Sequence, residues 1–138
     1  MEITANAIQA VAANQNVLFT ETPVCGNNSI VHREGSGLVT LRGITCQRKA
    51  RFRIFFSGNI AVPTGNEGPI SLAIAINGEP VATSSMISTP QAVEQYNNVS
   101  SSLYLDVPAG CCMSISVENS GTVPLLVQNA NLIAERVA

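Results

Sequence analysis

From Ile70 to Ile76 large apolar residues fall at every second position, Ile70, Leu72, Ile74 and Ile76, with Ser71, Ala73 and Ala75 between them. That is the two-residue period of a strand with one bulky face. Asn77-Gly78 follows, a pair that tolerates the positive φ angles of a tight hairpin, and Val81 to Ile87 reads as the returning strand. A lone hairpin is marginal in water, so its isoleucine face requires other strands to cover it.

The rest of the chain supplies them. Asn16 to Thr22 is predicted as a strand ended by Pro23, Leu38 to Leu41 as another that continues through Gly43 to Cys46 after a bend, and Cys112 to Val117 and Val123 to Val137 as two more. Ala50 to Asn59 has two sharply different faces: Phe52, Ile54 and Phe56 on one, Arg51, Arg53 and Phe55 on the other. Val99, Ser101, Leu103, Leu105 and Val107 alternate in the same way with Ser102, Tyr104 and Asp106. The first set of each belongs in a core. Phe55 beside two arginines on the outward face calls for cover, because burying a phenylalanine is worth about 1.5–3 kcal/mol, and a neighbouring subunit is the cover expected. Met1 to Gln15 fits neither period cleanly and is read as an arm or an opening strand. About eight to ten short strands separated by Gly, Pro and Asn turns predict an all-β antiparallel sandwich or barrel.

Composition narrows the functional classes. Charged residues make up 12% of the 138 and apolar ones 46%, with a net charge of −2, so attraction to nucleic acid or anionic lipid has no general support. No apolar run is long enough to span a bilayer. Met1 to Ala13 carry Glu2 and neither Lys nor Arg, unlike the basic start of a secretory signal, and are read as mature protein. Cys25, Cys46, Cys111 and Cys112 lack zinc-site spacing and are expected as reduced thiols packed as small hydrophobes, with one of the adjacent pair in the core and the other exposed. His32 is the sole histidine and Asp106 the sole aspartate, which leaves no triad, no carboxylate pair and no metal cluster; no enzyme activity and no cofactor are expected. Gly35-Ser36-Gly37 is a turn, since no helix pattern follows it. Arg48, Lys49, Arg51 and Arg53 form the one basic group, either solvated charges or a docking point for an acidic surface.

In order, these strands resemble the jelly roll of the tumour necrosis factor and complement globular-head family, and within it the small bacterial and bacteriophage members such as the C-terminal head of the Bacillus collagen-like exosporium glycoprotein. The likeness is carried by Asn16-Val17-Leu18-Phe19-Thr20-Glu21-Thr22, by Ala50 to Phe56, by Ile76-Asn77-Gly78-Glu79-Pro80-Val81, and by Val107-Pro108-Ala109-Gly110 before Ser114-Ile115-Ser116-Val117. It implies a TNF-like, trimeric jelly-roll domain over 16–138, preceded by an arm over 1–15. It further implies a trimer interface on the outward face of one sheet, near Arg51, Arg53, Phe55, Tyr104 and Asp106, with the arginines as natural partners of the single aspartate.

The chain has no Gly-X-Y stalk, which departs from the exosporium proteins. The resemblance then implies a non-enzymatic bacteriophage structural protein, a homotrimeric capsid decoration or head-fibre protein. It would assemble in the host bacterial cytoplasm and attach to the major capsid protein or another virion protein through Met1, Ile3, Ile8 and Val11 of the arm. Two other roles remain open. One is a receptor- or glycan-binding tail-tip head that uses the loops Pro63 to Pro69 and Thr89 to Asn98, with Tyr96 as the sugar platform on a host-surface glycan. The other is a spore- or cell-surface adhesion protein.

Overall fold

In a computed structural model describing residues 1–138, strand β6, Lys49–Ala61, sets the layers of the molecule. Its Ala50, Phe52, Ile54, Phe56 and Ile60 are buried, while Arg51, Arg53, Phe55, Ser57 and Asn59 turn the other way. β6 lies inside the first sheet, whose order is β10 (Asn97–Pro108), β6, β12 (Leu125–Arg136), β1 (Glu2–Ala5) and β3 (Glu21–Val24), with β2 (Gln9–Val11) paired to β12. The second sheet runs β4 (Ile30–His32), β5 (Val39–Arg42), β11 (Cys112–Asn119), β7 (Ile70–Ile76) and β8 (Glu79–Pro80), with β9 (Met86–Ser88) also on β7. All pairings are antiparallel. No helix is long and apolar enough to cross a membrane.

One cluster of buried side chains joins the two sheets, with Phe19 meeting Phe56 edge-on at 6.4 Å between ring centres. Asn77 and Gly78 turn with φ of 51° and 87°, as a two-residue hairpin requires. The return of that hairpin is not the continuous strand predicted over Val81 to Ile87. β8 stops at Pro80, a single 3-10 turn over Ala82–Ser84 intervenes, and β9 resumes opposite Ile70 to Leu72. Pro80 cannot donate to a ladder, and Ser84 fills the break from its side chain: its Oγ accepts from Ile74 N at 2.9 Å and donates to Val81 O at 2.7 Å. The hairpin's small residues Ala73 and Ala75 are buried too, so both faces of β7 are covered.

The expected strand over Asn16 to Thr22 is mostly irregular, although Val17 and Phe19 are fully buried; pairing begins at Glu21 and runs through Pro23. Proline is tolerated there because β3 is an edge strand. Gly43 to Cys46 is a loop and not a continuation of β5, because Gly43 crosses tightly over the Pro108–Cys111 turn: a side chain at Gly43 would collide with the carbonyl of Pro108.

The largest correction concerns the first fifteen residues. They are not an arm. β1 is hydrogen-bonded between β12 and β3, Ile3, Ala5 and Val11 belong to the core cluster, Met1 packs against it, and the terminal ammonium donates to Ala134 O at 2.7 Å. Of the residues expected to grip a partner, Ile3 is 1% exposed and Val11 2%, and only Ile8 stands open. The jelly roll therefore begins at the first residues of the chain and not at Asn16.

Candidate functional site

The face of the first sheet that turns away from the core is the feature the fold leaves uncovered. Alternation on β6 and β10, and on β12 beyond its bulge, sends to it every second side chain, and the register sets them in rows. One row runs Ser102, Phe55, Ile133, Glu2, Val24; the next runs Tyr104, Arg53, Glu135. Phe55 and Ile133 are thus cross-strand neighbours, both half-buried, at the middle of an open sheet face. Tyr104 is 66% exposed on the edge strand β10. The five residues expected at an interface share this face, as their alternation required. Ile133, Glu2, Val24 and Glu135 were missed. The signal for Ile133 lay in Leu132-Ile133, two adjacent large residues that must point to opposite sides, but the faces of β12 change sides at the bulge near Asn129, whose φ is 56°.

The arginines of this face are paired with carboxylates, while Glu2 meets only the Asn131 amide. Asp106 accepts from Arg51 Nε at 2.8 Å and from Arg51 Nη2 at 3.2 Å, and lies 2.9 Å from Lys49 Nζ. The Arg51 hydrogen bonds first, and the Lys49 contact second, hold the Asp106 carboxyl well below the ordinary carboxylate range; the same bond pushes Arg51 up. Arg53 sits 3.6 Å from Glu135 and places its guanidinium 6.0 Å above the Phe55 ring. Further along, Thr4, Asn6, Glu21, Asn129 and Asn131 line an open cleft of about 300 Å³. Asn131 donates to Glu2 Oε2 at 2.7 Å, yet its own amide oxygen is sealed from solvent without a donor. An unpaired buried acceptor costs about 1–3 kcal/mol.

The side of the sandwich at β10 is incompletely closed as well. Val99, Leu103 and Leu105 face inward as expected, yet they remain half-exposed, as do Ile76 and Met113 of the second sheet. β10 is an edge strand, so its inward side chains lack a neighbour on one flank.

The two loops considered for a ligand do meet. Glu94 N donates to Val62 O at 2.8 Å, and a cleft of about 180 Å³ lies between Asn66, Glu67 and Gly68 on one side and Pro90 to Val93 on the other. Ligand pockets usually measure about 300–1,000 Å³. Tyr96 is half-buried and does not line this cleft.

His32 lies on the second sheet, with Nε2 3.0 Å from Ser36 O, its ring edge-on to Phe19, and Nδ1 buried without a partner. Asp106 points outward from the first sheet, so the two do not form an acid–base pair. No group of three His, Cys, Asp or Glu residues converges to hold a metal ion. The cysteines depart from expectation: all four are free and exposed. Cys111 still belongs to the turn that precedes β11, and Cys112 opens the strand at the end of the sandwich, so neither reaches the core.

No protein-family model matches the chain, and no curated protein matches it in sequence. Among solved structures, the globular domain of zebrafish complement 1qA protein superposes with a TM-score of 0.62 at 16% identity, over 96% of this chain and 93% of that one. The C-terminal domain of EclA, a sugar-binding protein, gives 0.44 at 12% identity over 95% and 79%. The CBM22-1 xylan-binding domain of Paenibacillus barcinonensis Xyn10C gives 0.38 at 10% over 97% and 98%. The last two scores are too low to carry an argument, and the first, at its identity, speaks for the fold alone. The chain has an antiparallel jelly-roll fold like that of the complement globular head, the fold shared with tumour necrosis factor.

Proposed function

We propose that the protein is a non-enzymatic, self-assembling structural head: a homotrimer that decorates a bacteriophage capsid or forms a head fibre, bound to the major capsid protein or another virion protein. The observation that carries self-assembly is the half-buried pair Phe55–Ile133 at the centre of an open sheet face, ringed by paired charges. A second apolar surface, the half-exposed seam of Val99, Leu103 and Leu105 at the β10 edge, lies elsewhere on the same molecule. Two unlike apolar patches on one molecule suit head-to-tail contact, which closes into a ring when the rotation fits. Exposed Tyr104 stands where the face meets that edge. The virion setting rests on the resemblance to small bacteriophage and bacterial heads.

The test has two parts. Light scattering of the full chain under reductant should give three chain masses, and mass spectrometry of purified phage particles from a host carrying the gene should find the protein in stoichiometric amount. A monomer would remove the assembly reading; a trimer absent from particles would remove the virion role. The converging loops at Asn66–Gly68 and Pro90–Val93 favour a second reading, a glycan-binding head, and glycan-array binding lost on widening or filling that cleft would promote it.

A further inference from the structure

The end of the sandwich where β5 and β12 finish and β6 and β11 begin concentrates two features that the interaction face does not use. All four cysteines are exposed and unpaired, whereas free cysteine is ordinarily among the most buried residue types. Cations gather at the same end. The loop from Gly43 to Lys49, which carries Cys46 and Arg48, is laced to the turn that carries Cys111: Gly43 N donates to Cys111 O at 2.8 Å, Gly110 N to Gly43 O at 3.0 Å, and Ala109 N to Arg48 O at 2.9 Å. Cys112 is the direct register partner of Arg42 on the neighbouring strand. Leu41, Ile115 and Val117 point into the core, so alternation sends Arg42 and Cys112 to the outer face of the second sheet, side by side and about 4.5–5.5 Å apart at Cβ. Arg42 has no carboxylate partner, its one side-chain bond being a 3.4 Å contact from Nη1 to Asn28 O, and Arg48 has none either. Arg48 borders a cleft of about 330 Å³ whose other charged groups, Lys49 and Asp106, are paired with each other. The Arg42–Cys112 pair lies on the sheet opposite the face assigned to self-assembly.

An exposed thiol beside unpaired arginines selects by charge among the disulfides it can meet. We propose that this end is a site of reversible mixed-disulfide modification by small anionic disulfides of the glutathione type. Cys112 is the reacting thiol, and Arg42, with Arg48 on the adjoining loop, attracts the carboxylates. In the exchange the Cys112 thiol gives its proton to solvent, and its sulfur bonds to one sulfur of the disulfide. The original S–S bond breaks, and the departing sulfur takes up a proton as free glutathione. The disulfide is the only oxidant, one bond forms as one breaks, and excess glutathione reverses the step.

The test treats the full chain, freed of reductant, with oxidised glutathione or with cystamine, a cationic disulfide, at low and high salt, and reads adducts by intact mass and peptide mapping. The expected result is a glutathione adduct on Cys112, formed about tenfold faster than the cystamine adduct at low salt, with the gap closing at high salt. Cys112→Ser should lose that adduct, and Arg42→Gln should lose the preference for glutathione while the far-ultraviolet circular dichroism stays unchanged. Equal rates for the two reagents, an adduct mainly on Cys25 or Cys46, an intrachain disulfide without a retained adduct, or disulfide-linked copies would each overturn the proposal.

Discussion

Replacing Phe55 with Asp tests the interaction face at its centre. Full burial of a Phe or Ile side chain is worth about 1.5–3 kcal/mol. Both Phe55 and Ile133 are already largely covered, with no more than about a third of each exposed, so a neighbouring copy adds at most about 1 kcal/mol for each, or at most about 2 kcal/mol at every contact between copies. The aspartate forfeits the phenylalanine's share and takes a carboxylate out of water beside Ile133, at an effective cost of several kcal/mol. Together these come to about 3 kcal/mol or more per contact, which over three contacts lowers the trimer association constant roughly a millionfold. The isolated fold should survive, because Phe55 points away from the core and its departure removes only the Arg53–ring contact and part of its cross-strand pairing with Ser102 and Ile133. Light scattering should therefore report one chain mass with an unchanged circular-dichroism spectrum, while Phe55→Leu should keep three. A Phe55→Asp protein that still scatters as a trimer would show that this face is not the interface.

Three further outcomes follow from the geometry. Ile3→Ala should lower the urea-unfolding free energy by about 2–5 kcal/mol, the cost of a core truncation, where an arm residue would change nothing measurable. Ser84→Ala should cost about 1–3 kcal/mol in the same assay, because the buried Ile74 N–H loses its acceptor at the break between β8 and β9. The carboxyl carbon of Asp106, followed by NMR, should titrate well below its ordinary value of 3.8, with Arg51→Gln raising the midpoint more than Lys49→Gln. Since the folded-state value is the depressed one, the pairing's contribution is fully present above the ordinary carboxylate range and is lost only as pH falls through the lower folded value.

The strands of the centre were legible because their signal is local. On β6 each side chain's fate follows from its parity, and Phe52, Ile54 and Phe56 fell inward as Arg51, Arg53 and Phe55 fell outward. The Asn77-Gly78 turn was equally plain, its positive φ values being a property of those two residues. The segment Met1 to Val11 gave no such signal. Its strands are three or four residues long, too short to establish a period, and they are strands only because β12 and β3 offer free backbone groups on either side. The same holds for Val17 and Phe19, buried without a ladder, and for the 3-10 turn that interrupts the hairpin's return.

The cysteines mark the boundary most clearly. Average burial placed all but one of the adjacent pair in the interior, but exposure is a property of position in the sandwich, and all four lie in or beside the connections between strands. By itself the sequence determined the class of fold, the two faces of β6 and β10 and the central turn, because alternation and turn chemistry act over a few residues. Only the tertiary structure decided that the first residues are core, that Ile133 stands beside Phe55, and that Cys112 stands beside Arg42. Each of those depends on register between strands far apart in the chain, which no local pattern encodes.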